Sequence, residues 1–342
     1  MRTRSNACLL LIAAPLFAVA AGAVRPQAQI ELTLEAKKRL FPSLALGVRG
    51  TKLGPDGRYY ILTAHSVLVF DAAGANLGEI PPRSPKDKNA AGLNYGEAFD
   101  VGSDGRIYVA DRGANAIRVF SPAGELLASV TAPAPTGVVA LAGGEFAVTS
   151  STGDHLVSVY DMKGTQLRTF GDLVDLTDTP EYNRYLSVAR LATDNAANIY
   201  LAFTFFPEPT VRKYDRFGYA AYESLLNTLE FAPSAQAARR EIKRVEAKGG
   251  PLQLKERLSA IGVDPEAQTV WLAIGDELLR FDREGKLVMQ YTLTMQDGSR
   301  FKPNYILVEH TRLILSTDSQ GIYEFSRPVK DPALLAPAEK NF

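Results

Sequence analysis

The sequence has little of the side-chain chemistry on which most catalytic and metal sites depend. Its 342 residues include one cysteine, Cys8, one tryptophan and three histidines. It contains no G-x-S-x-G motif of serine hydrolases, no H-E-x-x-H motif of zinc proteases and no glycine-rich phosphate loop. The familiar nucleophile, zinc-protease and nucleotide-binding motifs are therefore excluded at the level of sequence.

The N-terminus has the three parts of a secretory signal peptide. Arg2 and Arg4 precede an unbroken apolar run at 7–24, and small residues in that run are suited to cleavage after Ala20 or Ala23. We therefore predict that the protein is exported to a periplasmic or extracellular location.

The alternative is that this segment is retained as an N-terminal membrane anchor, because its 18 apolar residues are just long enough to span a bilayer. Pro15 and the alanine-rich composition favour cleavage. Cleavage would make residues 1–23 the signal peptide and 24–29 a linker, and no stable membrane span would remain. It would also remove Cys8, and with it any disulfide or thiolate chemistry.

Charge of one sign is also scarce. The chain has 38 basic and 38 acidic residues, and cleavage after Ala23 would leave 36 basic against 38 acidic, a net charge of −2. No tract rich in Lys and Arg stands out. Phosphate backbones require concentrated positive charge, so we expect no nucleic-acid partner.

A short motif of an aromatic residue, Asp or Ser, two further residues and Gly recurs along the chain. Its copies are VFDAAG (69–74), VFSPAG (119–124), VYDMKG (159–164), KYDRFG (213–218) and RFDREG (280–285), with a truncated EFSRP at 324–328. Asp or Ser opens a tight turn, and Gly closes it with a positive φ. Successive aromatics are 40 to 67 residues apart. Such spacing, with several short strands per unit, is typical of β-propellers.

The pattern predicts an all-β fold, a six-bladed β-propeller spanning residues 30–326. The predicted blades are 44–80, 96–130, 136–170, 186–225, 257–291 and 303–325. The sixth unit stops before its outer strand and runs into a Pro-rich C-terminal tail at 327–342. We expect IELTL at 30–34 to supply the missing strand, so that the N-terminal strand closes the last blade and leaves no open sheet edge there.

The stretch IYVADRGANAIRVFSPAG resembles the NHL repeat, in which a strand ending in Asp, a short loop with Asn, a strand with Arg and an aromatic turn ending in Gly follow one another. The residues at those places are Asp111, Asn115, Arg118, Phe120 and Gly124. The match is specific at 96–130, whereas other blades keep mainly the turn. The resemblance implies a propeller, and propellers of this kind range from protein binders to enzymes.

One face of the predicted propeller carries all the long connections. With strands a to d counted outward from the channel, the a–b and c–d turns lie on one face and the b–c and d–a connections on the other. We call these the tight-turn face and the long-loop face. The long segments 81–95, 171–185 and 227–256 all belong to the long-loop face. Long loops usually carry function, so we predict a binding surface there, around the channel mouth.

Polar residues in the b–c loops, and three in the segment 171–185, are the candidate binding residues, and none is assigned a catalytic role. They are His65, Asp111, Arg112, Asn115, Asp154, His155, Tyr182, Asn183, Arg184, Asp276 and Asp318, with Glu208 in the same set of loops. His65 and His155 fall on blades that are not neighbours, and His310 falls on the opposite face. A three-histidine zinc site is therefore not expected. For Asp111 itself, hydrogen bonds to backbone N–H groups of its own loop are favoured over a ligand role.

The longest insertion, between blades four and five, contains a helix signature at 234–250. Ser234 can cap its start and Gly249 can end it. A narrow apolar stripe lies along it, formed by Ala235, Ala238, Ile242 and Val245. The pattern favours a helix packed over the rim of blades four and five, and the alternative is a lid or a partner-docking helix.

Two functions remain open. The leading hypothesis is an exported, non-enzymatic binding or scaffold propeller, monomeric and without a cofactor, that binds a protein, peptide or glycan on its long-loop face. The alternative is a metal-assisted hydrolase or lyase at the channel mouth, similar to lactonase-like or amidating-lyase-like propellers. The alternative requires oxygen or imidazole ligands converging on a bound Ca²⁺ or Zn²⁺.

Overall fold

The computed structural model describes residues 32–44, 47–82 and 92–328. The predicted signal peptide at 1–23, the linker at 24–29 and all but the first two residues of the tail at 327–342 lie outside the described residues. The predictions about export, cleavage and anchoring therefore remain predictions.

Six four-stranded units make up the fold. The first three contain β2 to β5 (Gly50–Leu53, Tyr59–Leu62, Val67–Phe70, Asn76–Ile80), β6 to β9 (Gly96–Val101, Ile107–Asp111, Ala116–Phe120, Leu126–Thr131) and β10 to β13 (Pro135–Ala140, Phe146–Ser150, Val157–Tyr160, Gln166–Phe170). The fourth and fifth contain β14 to β17 (Ala189–Thr193, Ile199–Phe203, Thr210–Tyr214, Ala220–Leu225) and β18 to β21 (Ala260–Val263, Val270–Ile274, Glu277–Phe281, Leu287–Thr294). The sixth contains β22 to β24 (Tyr305–Val308, Arg312–Thr317, Gly321–Ser326) and the N-terminal β1 (Leu32–Leu40).

Within each unit, strands that follow one another in the chain pair antiparallel. The recurrent motif forms the turn between the third and fourth strands. In its first copy the Gly74 N–H donates to the Asp71 carbonyl at 3.0 Å, and the Ala75 N–H donates to Asp71 Oδ1 at 2.8 Å. The closing glycines of the five complete copies have φ between +82° and +94°. The motif therefore recurs because each blade needs the same tight turn, in which glycine adopts the left-handed backbone at little cost.

The N-terminal strand closes the last blade, as predicted, although through other residues than expected. Residues Ala36–Leu40 of β1 pair antiparallel with β24, whereas Leu32–Glu35 pair in parallel with β21 of blade five. The segment predicted for closure was 30–34, of which residues 30 and 31 lie outside the described ranges. The sequence did not indicate this because the part of β1 that pairs with β24 contains three exposed charged residues at 37–39, which make it look unlike a strand. Exposed charges of this kind are typical of an edge strand.

The core consists of apolar clusters between neighbouring blades, and in the described residues there is one such cluster for each of the six interfaces. The cluster between blades six and one, which includes Ile314, Ile322 and Tyr59, completes the ring. Four aromatics at the same position of the second strand are at most 1% exposed; they are Tyr60, Tyr108, Tyr200 and Trp271. Each such ring contributes about 1.5–3 kcal/mol through burial. These rings are core residues, so none offers a platform for a sugar.

Two helices lie on the long-loop face. The insertion between blades four and five forms α2 (Ala232–Lys248), whose buried residues are the predicted stripe, Ala235, Ala238, Ile242 and Val245. The helix starts two residues before Ser234, whose hydroxyl donates to the Phe231 carbonyl and caps no N–H. Gly249 ends it with φ +73°.

The position of α2 differs from the expected one. Ile242 and Val245 pack into the cluster between blades three and four, and not over blades four and five. The reason is a second helix, α1 (Pro180–Leu186), which begins within the long segment 171–185, where no helix was predicted. Leu186 of α1 belongs to the same cluster. The apolar stripe of α2 therefore packs beside α1, over the groove between blades three and four.

An ion pair joins blades five and six on the tight-turn face. Arg327, directly after β24, donates to the Asp264 carboxylate, which follows β18. Burial alone would raise the pKa of Asp264, but the N–H groups of Ala267 and Glu266 and the Arg327 guanidinium hold it below its usual value. The native state therefore favours the ionised carboxylate.

A carboxyl group whose pKa is lower in the folded state contributes stability above its unfolded pKa, about 3.9 for Asp, and loses it as the pH falls through the folded pKa. We therefore expect Asp264→Asn to destabilise the protein at pH 7 and to have progressively less effect below pH 4. Urea unfolding at pH 7, 5 and 3 measures this. A difference between the two proteins that stays constant over this range would contradict it.

Candidate functional site

The sequence-predicted binding residues divide into those used inside the fold and those open to solvent. Asp111 belongs to the first group, because its side chain is fully buried. Its carboxylate accepts the N–H groups of Asn94 (3.0 Å), Tyr95 (2.9 Å) and Ala114 (3.2 Å), and it pairs with Arg118 Nε at 3.0 Å. It shapes two adjacent loops and presents no surface to a ligand.

Three further candidates are also engaged internally. Asn115 adopts a left-handed backbone, φ +51°, and its side-chain oxygen accepts the Ala134 N–H at 2.9 Å. Asn183 holds the preceding loop, since its side-chain oxygen accepts two backbone N–H groups of that loop at 3.0–3.2 Å. The Tyr182 hydroxyl donates to the Gly250 carbonyl at 2.7 Å, which connects α1 to the segment after α2.

Glu208 has a similar role. It accepts a bidentate pair from Arg239 of α2, at 2.7 and 2.8 Å. This fork holds α2 against the b–c loop of blade four, and the hydrogen bond from Tyr182 secures the segment beyond the end of the helix. These contacts fit a helix fixed onto the face.

The solvent-open candidates over blades one to three do not converge. Asp154 is largely exposed and pairs with Arg184 at 3.0 Å, an exposed pair of the kind that contributes little to stability. His155 lies beside it in chain order. His65, on blade one, has Nδ1 3.3 Å from the Leu93 carbonyl oxygen. Arg112 is exposed in the loop of blade two.

Asp276 and Asp318 instead lie at a polar pocket between blades five and six, which we call the rim pocket. Its volume is about 440 Å³. It is lined by the connection before β18 (Glu256, Arg257 and Ser259), the connection before β22 (Arg300, Lys302 and Asn304) and residues 317–320 of the blade-six loop. Asp276 stands beside it, with Oδ2 3.5 Å from Arg300 Nε.

Three cations of the rim pocket retain hydrogen-bonding capacity. Arg257 donates from Nη2 to the Ser234 carbonyl of α2, its buried Nε has no acceptor among the described residues, and its Nη1 is left for a ligand. Burial lowers the pKa of this guanidinium. Among the described residues, the Arg300 side chain pairs only with Asp276, over a long 3.5 Å contact. Lys302 is exposed and forms no ion pair with any described residue.

A second group of charged side chains lies at the mouth of the central channel. At its centre are Arg49, Glu97, Arg190 and Tyr305, which come from the starts of the innermost strands of blades one, two, four and six. Arg49 Nη1 lies 3.5 Å from Glu97 Oε2, and the Arg190 guanidinium carbon lies 5.8 Å from the centre of the Tyr305 ring. The channel cavity has a volume of about 130 Å³.

The surroundings of Arg190 and Tyr305 fix the protonation state of each of these two side chains. Burial alone would lower the pKa of Arg190, but Tyr305 and Glu256 outweigh it, and the pKa is raised. Burial also raises the pKa of the Tyr305 hydroxyl, against the opposing effect of Arg190 and Arg49. At neutral pH Arg190 is therefore charged and the Tyr305 hydroxyl is neutral.

The channel mouth and the rim pocket adjoin. Asn304 lines both, and Glu256 of the rim pocket accepts a hydrogen bond from Arg190 Nη2 at 3.1 Å. Together they form one polar concavity on the long-loop face. The sequence analysis missed its basic and aromatic members because each occurs singly in its blade. A search for polar residues at the starts of the innermost strands would have found the members at the channel mouth.

Within the described ranges, no three His, Cys, Asp or Glu side chains are arranged to hold a metal ion. Among the described residues there is therefore no site in which three such side chains could surround a Ca²⁺ or Zn²⁺ ion. None of the helices among residues 32–44, 47–82 and 92–328 is long and apolar enough to cross a membrane.

Comparisons with known proteins agree with the fold. A streptogramin B lyase is 15% identical with a TM-score of 0.53, and the match covers 86% of this chain and 88% of that one. U3-55K is 12% identical with a TM-score of 0.51, covering 84% and 98%. The β-propeller domain of Myceliophteria thermophila Cps50 (Swd1) is 11% identical with a TM-score of 0.51, covering 86% and 100%.

The sheet topology and these similar structures define the chain as a β-propeller. At such low identities the likeness shows the fold alone. No protein-family model and no curated protein matches the chain, so the resemblance to the NHL repeat at 96–130 remains a prediction.

Proposed function

We propose that the protein is an exported, non-enzymatic binding propeller and that its ligand, a peptide or a segment of another protein, occupies the rim pocket beside the channel mouth. The observation that carries the proposal is the placement of this pocket. It lies on the face with the long connections, where loops hold a polar surface on a rigid scaffold of strands. Its cations and amides have unused donors, which a ligand can satisfy.

A peptide fits this surface better than a glycan does. The rim-pocket lining contains no aromatic side chain, whereas sugar rings commonly stack on aromatic rings. Its polar members include the amides of Asn304 and Gln320. Neither side chain is hydrogen-bonded to another described residue, and amides can both donate to and accept from a peptide backbone.

Filling the rim pocket should prevent binding. Gln320 is exposed in the blade-six loop, so Gln320→Trp adds bulk at the pocket while leaving the core unchanged. Peptides selected from a displayed random library on the chain beginning at residue 24 should bind Gln320→Trp at least tenfold more weakly, as measured by biolayer interferometry.

The matched control is Glu125→Trp, which adds the same ring at an exposed position of a c–d turn on the tight-turn face. It should leave binding within twofold of the original protein. Selected ligands that bind both variants equally well would place the site elsewhere, and failure to select any peptide would count against a peptide-binding function.

The metal-assisted hydrolase or lyase has less support. The similar structures include a lyase, but that likeness concerns the fold. No three His, Cys, Asp or Glu side chains of the described residues are arranged to hold a metal ion. At the channel mouth, Arg49 pairs with Glu97, and Arg190 pairs with Glu256 of the rim pocket.

A further inference from the structure

We propose that the rim pocket binds a carboxylate group of an acidic peptide segment, held by Arg257, Arg300 and Lys302. This inference rests on the proposed function, because it names the chemistry of the ligand for the same pocket. It goes further in predicting which peptides bind, and why their charge decides it.

The rim pocket keeps more positive than negative charge after its side chains have paired with one another and with their neighbours. Glu256 is already engaged by Arg190 of the channel mouth. Asp276 lies 3.5 Å from Arg300 Nε, too long for a strong hydrogen bond. Asp276, which stands beside the lining, and Asp318 are then the two carboxylates left to offset its three cationic side chains. An incoming carboxylate therefore meets net positive charge.

The guanidinium groups of the rim pocket also have a shape that suits a carboxylate. A guanidinium presents its N–H groups in a planar fork that matches a carboxylate, and bidentate pairs of this kind are among the stronger hydrogen bonds. Arg257 and Arg300 reach the pocket from different connections, one before β18 and the other before β22. The buried Nε of Arg257 also lacks an acceptor among the described residues. That Nε is enclosed by protein, and Arg257 Nη2 donates to the Ser234 carbonyl of α2, so any contact of this guanidinium with a ligand is made through Nη1.

The small number of cations in the rim pocket limits the kind of anion that it can bind. Arginine clusters recognise acidic or phosphorylated peptide motifs in a recurring way. The rim pocket has only three cations, and no extended basic track leads away from it within its lining. This suits one or two carboxylates on a short segment better than the regular charge of a nucleic acid.

The test uses fluorescently labelled hexapeptides and the chain beginning at residue 24. One peptide alternates glutamate and serine, and the second has glutamine in place of each glutamate. We expect the glutamate peptide to bind at least tenfold more tightly in fluorescence anisotropy. Raising the salt concentration from 50 to 300 mM should weaken its binding several-fold, because screening acts on exposed charges.

The double variant Arg300→Gln, Lys302→Gln should reduce binding of the glutamate peptide at least tenfold. Both side chains are exposed, so folding should be retained, and circular dichroism checks this. The matched control is Arg283→Gln, Lys286→Gln, which removes two exposed charges from the tight-turn face of blade five. It should change binding less than twofold.

The acidic specificity and the location of the binding site can be disproved separately. If glutamate and glutamine peptides bind equally and the double variant has no effect, while Gln320→Trp still blocks selected ligands, the acidic specificity is wrong and the binding function stands. If Gln320→Trp also has no effect, the site itself is wrong. Tight binding of polygalacturonate with none of the glutamate peptide would overturn the inference in favour of an acidic glycan.

Discussion

A chain that begins at Phe41 is expected to lose cooperative folding, whereas a chain that begins at Glu31 is expected to fold normally. The difference between them is β1, which supplies the outer strand of blade six and also pairs with the outer strand of blade five. Its loss would leave the edges of β21 and β24 unpaired. It would also remove Ala36, Leu32 and Leu34 from the cluster between these blades.

The size of the effect follows from the way a ring is stabilised. Each blade is held by its two neighbours, so one opened interface affects the whole ring. We expect a loss comparable with the roughly 5–15 kcal/mol that stabilises a typical domain. The newly exposed edge strands should also cause aggregation.

Urea unfolding followed by circular dichroism, together with size-exclusion chromatography, measures both effects. The chain beginning at Glu31 is the control, because it lacks residues 1–30 but keeps all of β1 (Leu32–Leu40). If the shorter chain stayed soluble and unfolded at the same urea midpoint, ring closure by β1 would not be needed for stability.

The second large effect is expected for Asp111→Ala, with a loss of about 3–5 kcal/mol in unfolding free energy. The substitution removes the carboxylate that pairs with the partly buried Arg118, whose Nη1 still donates to the Gly92 carbonyl. It also leaves the N–H groups of Asn94, Tyr95 and Ala114 without their acceptor. Unsatisfied buried donors and unpaired buried charges are among the few mechanisms that produce so large a loss.

Asp161→Ala is the matched control. Asp161 accepts the N–H groups of Lys163 and Thr165 in the exposed turn of blade three, so water can replace it when the side chain is removed. Its effect on the urea midpoint should be clearly smaller than that of Asp111→Ala. Equal effects of the two substitutions would mean that burial of Asp111 adds nothing to its role.

The fold could be predicted from the sequence because its main signals are local. Each copy of the turn motif specifies its own hairpin, and the aromatic before it marks a buried strand end. The apolar stripe of α2 was found for the same reason, since helical spacing is visible within a few turns. The closing strand was displaced from 30–34 because the buried partners of Ala36 from blades five and six lie more than 220 residues away in sequence.

The site was much less visible, for the same physical reason. Arg190 and Glu256 are neighbours only because the ring brings different connections together. Asn183 and Tyr182 looked like exposed loop residues, but their side chains hold α1 and the segment after α2. From sequence alone, a polar residue that builds a loop cannot be distinguished from one that contacts a ligand.

The position of the chain's only tryptophan has a practical consequence. Trp271 is fully buried and lies in the same cluster as Ala36 of β1, Tyr291 of blade five and Phe325 of blade six. Its indole emission is thus an intrinsic optical reporter placed at the seam where the two ends of the ring are joined. Opening of that seam would expose the indole to water and shift its emission to the red, which distinguishes local opening from unfolding elsewhere without any added label.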